Sequence, residues 1–407
     1  MSPAAAGDAL LTPLSGAPPA PPVPGRPIGR LGFLGVVISS FGGPLALAAL
    51  YAPTIVVDTT SSAGLVSLLA AAAFAVPLIV WLRYAGHIAG PGGLYSFVRA
   101  GAGPRVAGVQ AALWIGSYAL YLVYTTASIV YDTLPAVLPA VRPWQPVLEV
   151  AIPVVLAGVV LAGRTAAIAV LGVLAAGQLA LVGALGAVSV GHAAPLSSFG
   201  VHAPAGDLAL ATGNISLLYV CGSLPLFLGG EVRRPARTVR TGLLLGFGLT
   251  AVGVTAAVFP LAADPAFAHA PIPGMAIAQV FAGHELAVAI GVGVAASIAG
   301  LILVEFLALS RLLSAITRRP VQPIVRIMAV MLVATAPLTL LAPERIYEAL
   351  LKPSLVALWL SQLLVFVTYP RFVGRIGGSR VGSLALAALG VAFTAFGLYT
   401  TTQSAGT

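Results

Sequence analysis

Two ionisable side chains, Glu305 and Lys352, stand inside long apolar stretches of this sequence. A charge buried in a membrane span costs about 2.5–3.5 kcal/mol on insertion scales unless it is paired or faces water. Such a residue is retained where it has a task, so both are candidates for ion coupling, Glu305 by carrying a proton. Each also has a structural reading. Arg311 lies six residues after Glu305 and offers a partner. Glu348 lies four residues before Lys352, on the same helix face, where the two can pair. Lys352 can also hold its ammonium group at the membrane surface.

Backbone chemistry is signalled at two other places. Ser39-Ser40-Phe41-Gly42-Gly43-Pro44 interrupts one apolar stretch, and Cys221-Gly222-Ser223-Leu224-Pro225 interrupts another. Proline removes a helix donor and glycine loosens the backbone, so both segments are expected to unwind. The two correspond: Pro44-Leu45-Ala46-Leu47 matches Pro225-Leu226-Phe227-Leu228 at an offset of 181 residues. Interrupted helices at matching places in two halves point to a transporter binding site. Ordinary proline kinks are the plainer reading of either break alone. A third polar feature is the run Trp114, Ser117, Tyr118, Tyr121, Tyr124 and Thr125, of which Ser117, Tyr121, Tyr124 and Thr125 share a helical face. That face can line a cavity or belong to an aromatic belt at the membrane surface. Gln178 and Asn214 read as interhelical hydrogen bonds.

Catalytic signatures are missing. His87, His192, His202, His269 and His284 do not pair at helical spacing for zinc. There is no Gly-x-Ser-x-Gly, and the single lysine is not in a phosphate-binding loop. No enzyme activity, metal or cofactor is expected. The single cysteine, Cys221, excludes an intrachain disulfide.

The elements that hold these residues follow from composition. Only 8% of the 407 residues are charged and 59% are apolar, against about 25% charged in soluble domains. The apolar runs are long and do not alternate, so an all-α integral membrane protein is expected rather than a barrel. Eleven spans are predicted, over 32–56, 61–82, 107–131, 147–163, 166–190, 208–230, 241–262, 286–310, 324–342, 349–369 and 381–400. A Pro- and Ala-rich tail over 1–29 reads as disordered and cytoplasmic, ahead of a transmembrane domain over 30–407. Of the 20 Lys and Arg, 17 fall on one side of this map if the N-terminus is inside. By the positive-inside rule that orients the chain in a cytoplasmic membrane. The same distribution explains the net charge of +9 without nucleic acid, and the partners expected are lipid, a small molecule and H+. Five spans per half set the halves in opposite orientation: 32–190 forms a first repeat, 208–369 a second, and 381–400 an extra helix.

Three further segments carry a family resemblance. Pro91-Gly92-Gly93-Leu94-Tyr95 with Gly101 and Gly103-Pro104-Arg105, then Gly230-Glu231-Val232-Arg233-Arg234-Pro235-Ala236-Arg237, then Ala308-Leu309-Ser310-Arg311 resemble segments of the amino acid–polyamine–organocation superfamily of secondary transporters. The resemblance spans residues 32 to 370. It implies a LeuT-like five-plus-five inverted repeat with broken first and sixth helices. It implies transport of amino acids or related amines by alternating access, with substrate between the breaks and the third, eighth and tenth helices around it. The amides freed over 40–43 would take a carboxylate, and the carbonyls freed over 221–223 an amine. The substrate-binding residues expected are Ser39, Ser40, Gly42, Gly43, Tyr118, Tyr121, Tyr219, Cys221, Gly222 and Ser223, with Glu305 and Lys352 for coupling. Where many members carry an acid after the sixth-helix glycine, this chain has Ser223 or Leu224. The rival of another class is a sensor or assembly subunit that keeps the fold without transport.

Overall fold

The computed structural model describes residues 27–88, 90–193, 195–341 and 343–403, with the backbone alone over 343–348. Residues 1–26 of the expected tail lie outside the described residues. Eleven helical spans are long and apolar enough to cross a membrane: Arg30–Ile55, Val57–Ala85, Pro104–Val137, Pro139–Leu161, Arg164–His192, Ala205–Glu231, Pro235–Ala263, His284–Thr317, Val321–Thr339, Ala349–Arg375 and Arg380–Gln403. The shortest has 19 residues, or about 28 Å of α-helix, close to the thickness of a hydrocarbon core. The protein is multi-pass. The spans keep the predicted order but several run longer. The third extends to Val137 through a π-helical turn at Ile129–Thr133. The eighth continues to Thr317 because Arg311 near its end is buried and paired, so the helix does not stop at the first charge.

The first span is interrupted where the sequence predicts. An α-helix over Arg30–Ser40 stops, Gly42 and Gly43 turn through φ of 66° and 67°, and helix resumes at Pro44. Two consecutive positive φ values require glycine. The new helix start leaves its first N–H groups without intrahelical partners. One is capped from outside: Ala46 N–H donates to Ser297 Oγ of the eighth span at 3.2 Å. Ser297 Oγ in turn donates to Gln178 Oε1 of the fifth span at 2.7 Å. Gln178 therefore makes the interhelical bond predicted for it, and Ser297 ties three spans at the break.

The sixth span changes character over a longer stretch. Its α-helix ends at Leu218 and a 3-10 helix runs from Tyr219 to Glu231. Such helices rarely exceed a few residues; here Pro225 lies within and the whole stretch to Gly229 is buried. The two interruptions meet: a Cβ on Gly222 would sit 2.2 Å from the Phe41 ring. At the other end of the same segment, a short amphipathic helix over Gly93–Ala102 lies across the bundle between the second and third spans. A Cβ on Gly101 would come 2.7 Å from Thr368 O of the tenth span, so this helix is packed tightly against it.

Gly43→Ala is expected to lower the thermal midpoint of the purified protein. Its Cβ would approach Ser297 Oγ to 2.3 Å, and the backbone conformation adds about 1–3 kcal/mol of strain. Gly108→Ala in the third span, where a Cβ meets nothing within 4 Å, serves as control and leaves the midpoint near wild type. Equal midpoints for the two variants would remove the strain at the break.

Candidate binding cavity

Antiparallel spans put the C-terminal ends of the odd spans and the N-terminal ends of the even ones at the same face of the bundle. A cavity of about 1130 Å³ enters from that face. Its wall comes from Tyr51 and Ile55 of the first span, Ser117, Tyr118, Tyr121 and Tyr124 of the third, Asn214 of the sixth, Lys352 and Val356 of the tenth, and Thr401 of the eleventh. Gly42 of the first break and Val220 and Cys221 of the second are buried and form its deep part. The two interruptions thus lie at the end of a cavity whose wall the same two helices help to form.

The rings of the third span form a continuous ladder. Tyr124 stacks on Tyr121 at 5.7 Å between centroids, Tyr121 meets Tyr118 edge-on at 6.3 Å, and Tyr118 lies 4.3 Å from Trp114. Trp114 lies 4.3 Å from Phe227 in the lower sixth span. Ser117 and Tyr118 back onto the tenth span, where Ser354 Oγ donates to Ser117 O at 3.0 Å. Thr125 shares the predicted face but donates its hydroxyl back to Tyr121 O and is buried outside the lining.

The residues named from sequence therefore divide. Gly42, Tyr118, Tyr121, Cys221 and Lys352 line the cavity. Ser39, Ser40, Gly43, Gly222, Ser223 and Tyr219 are packed behind it. Ser40 Oγ is turned back onto Val37 O at 2.6 Å. Tyr219 points the other way, into Phe74 of the second span at 5.6 Å and Phe247 of the seventh at 5.4 Å. Gly43 is filled by Ser297.

Glu305 is fully buried, and among the described residues neither of its carboxyl oxygens has a hydrogen-bond partner. It lies within electrostatic reach of Tyr118, Tyr121 and Cys221, just beyond the cavity's deep end. The structural alternative, a pair with Arg311, is not what forms. Arg311 is taken by Glu231: its Nε donates to Oε1 at 2.9 Å, while Arg164 Nη1 donates to Oε2 at 2.9 Å. The Glu231 side chain is completely buried between them. The backbone of the same residue holds the segment ahead of the first span, with Ile28 N donating to Glu231 O at 2.8 Å and Arg233 N to Ile28 O at 3.4 Å. This cluster sits at the face opposite the cavity. Sequence reading singled out Glu231 and Arg311 in motifs, yet the pairing across three spans had no sequence signal. Lys352 has no ion pair among the described residues, and the side chain of Glu348, its predicted partner, lies outside them. No group of three His, Cys, Asp or Glu among the described residues could hold a metal ion.

Comparison with solved structures gives the architecture. The chain superposes on the crystal structure of MhsT in complex with L-phenylalanine with a TM-score of 0.60, at 12% identity, covering 94% of this chain and 100% of that one. The fold is LeuT-like. A crystal structure of the Eremococcus coleocola manganese transporter, with a bound aromatic bis-isothiourea compound, superposes with a TM-score of 0.53 at 11% identity, over 91% of this chain and 86% of that one. No protein-family model matches the sequence, and no curated protein matches it. In the LeuT-like fold the two interrupted helices are the first of each inverted half, which is where this chain breaks.

Glu231→Gln is expected to destabilise the protein by about 3 kcal/mol, since it leaves two arginines without their buried counter-charge. The double variant with Arg311→Gln should be less destabilised than the sum of the singles. Thermal midpoints of the four proteins measure both; strict additivity would show that the pair is not coupled.

Proposed function

We propose that the protein is a secondary transporter that moves a small organic molecule of the amino acid class across the cytoplasmic membrane by alternating access. One observation carries this reading. A cavity enters from one face and stops at two touching helix interruptions, while the opposite face is closed by Arg164, Glu231 and Arg311. A site reachable from one side and shut from the other is what alternating access requires, and a five-plus-five inverted repeat supplies the symmetry for the reverse state. The arginine-rich face is taken as cytoplasmic by the positive-inside rule, so the cavity faces outward and the N-terminus inward.

Glu305 is the proposed proton-coupling group. It is buried with no hydrogen-bond partner among the described residues, and it lies within electrostatic reach of the cavity residues Tyr118 and Cys221. A sensor or assembly subunit on this fold would be expected to seal the interruptions by packing; a cavity that reaches Cys221 favours transport. The manganese transporter shares only the fold. Here the charged group in the cavity wall is a lysine, which repels a metal cation.

Uptake of labelled amino acids into proteoliposomes tests the reading, and Cys221, the only cysteine, provides the control. A methanethiosulfonate reagent should block uptake by the wild type and spare Cys221→Ala. Absence of uptake for every amino acid by well-folded protein would sink the proposal. Glu305→Gln should retain binding but flatten the dependence of uptake on pH; an unchanged profile removes Glu305 from coupling.

A further inference from the structure

Among the described residues the cavity wall contains one charged side chain, and it is a cation. Lys352 is the sole lysine of the chain, is exposed, and stands near the start of the tenth span. Every other described lining residue is uncharged. Neither described acid in its surroundings is part of the lining: Glu305 is fully buried, and Asp132 lies within electrostatic reach of Tyr51 and Tyr124; the Glu348 side chain lies outside the described residues. A cation in a cleft with low-dielectric walls focuses a positive potential, which draws anions and repels cations.

The backbone site that would otherwise hold an anion is engaged in part. Around the first break, Gly42 N–H donates to Ser40 O at 2.8 Å, Pro44 has no N–H, Ala46 N–H is capped by Ser297 and Leu47 N–H donates to Gly43 O at 2.9 Å. The amides of Gly42, Ala46 and Leu47 are thus taken up within the protein itself, whereas Lys352 presents a cation in the cavity wall. Beside Lys352, the ladder of Tyr124, Tyr121 and Tyr118 presents rings to a planar or bulky apolar group. The volume of about 1130 Å³ is ample for such a body.

We infer that Lys352 is the anion-reading residue of this cavity, and that the substrate is a carboxylate borne on an aromatic or large apolar body. The carboxylate sits at Lys352 and the body on the tyrosine ladder. This rests on the transport reading for its meaning, but not for its test.

Thermal-shift titration of the full-length purified protein with three probes separates the features. Phenylpropionate has the ring and carboxylate, phenylethylamine the ring and amine, and L-phenylalanine all three. Phenylpropionate and L-phenylalanine should raise the midpoint and phenylethylamine should not. Lys352→Gln should weaken the two carboxylates by about tenfold or more, the loss of a charge-assisted hydrogen bond, whereas Lys352→Arg should stay within a few-fold. The residue is exposed, so the unliganded midpoints of both variants should match wild type. Equal affinity for phenylethylamine, carboxylate binding untouched by Lys352→Gln, or no binding of any probe overturns the inference. Proteoliposome uptake is read separately: binding through Lys352 without uptake sinks the transport reading alone, and uptake indifferent to Lys352→Gln sinks this inference alone.

Discussion

A helix broken in mid-membrane must find partners for the backbone groups it exposes, since hydrocarbon offers none and each orphan costs several kcal/mol. In this protein one hydroxyl meets part of that constraint. Ser297 accepts from the N–H of Ala46 and donates to Gln178, so the restart of the first span is capped from the eighth and fixed by the fifth. The requirement propagates. Gly43 must be glycine because Ser297 occupies the space of its Cβ, and Phe41 is thereby set against Gly222, which brings the second interruption against the first.

From that contact the bundle acquires two unlike ends. At one face the first, third, sixth, tenth and eleventh spans leave a cavity walled by tyrosines and aliphatic side chains. On the other, a single carboxylate between two guanidinium groups joins the fifth, sixth and eighth spans and pins the segment before the first. Ion pairs of this kind add little net stability when compared with apolar packing, yet breaking them is expensive. The cavity side has no such lock, which is consistent with a molecule able to admit a ligand there.

Much of this architecture was legible in the residues. Low charge and long apolar runs placed all eleven spans, and Gly42-Gly43-Pro44 located the first interruption to the residue, because only such a triplet both frees and ends a helix. The tyrosine face of the third span was likewise visible from its spacing. The partners were not. Glu305 and Arg311 sit six residues apart on one helix, and the sequence offered Arg311 as a partner within reach; the structure gives Arg311 to Glu231, eighty positions away in sequence. Tyr219 adjoins the second interruption in sequence but turns into Phe74 and Phe247.

Sequence alone determined the solvent, the number of crossings and the places where backbone would be exposed, since these depend on composition and local covalent geometry. Tertiary structure decided which side chains meet. It closed the arginine end with Glu231, capped the Ala46 amide of the first break with Ser297, left Glu305 buried without a hydrogen-bond partner among the described residues and put Lys352 in the cavity wall. The physical reason is that rotation of each helix about its axis is set by packing against several others at once, and no single helix carries that information in its own residues.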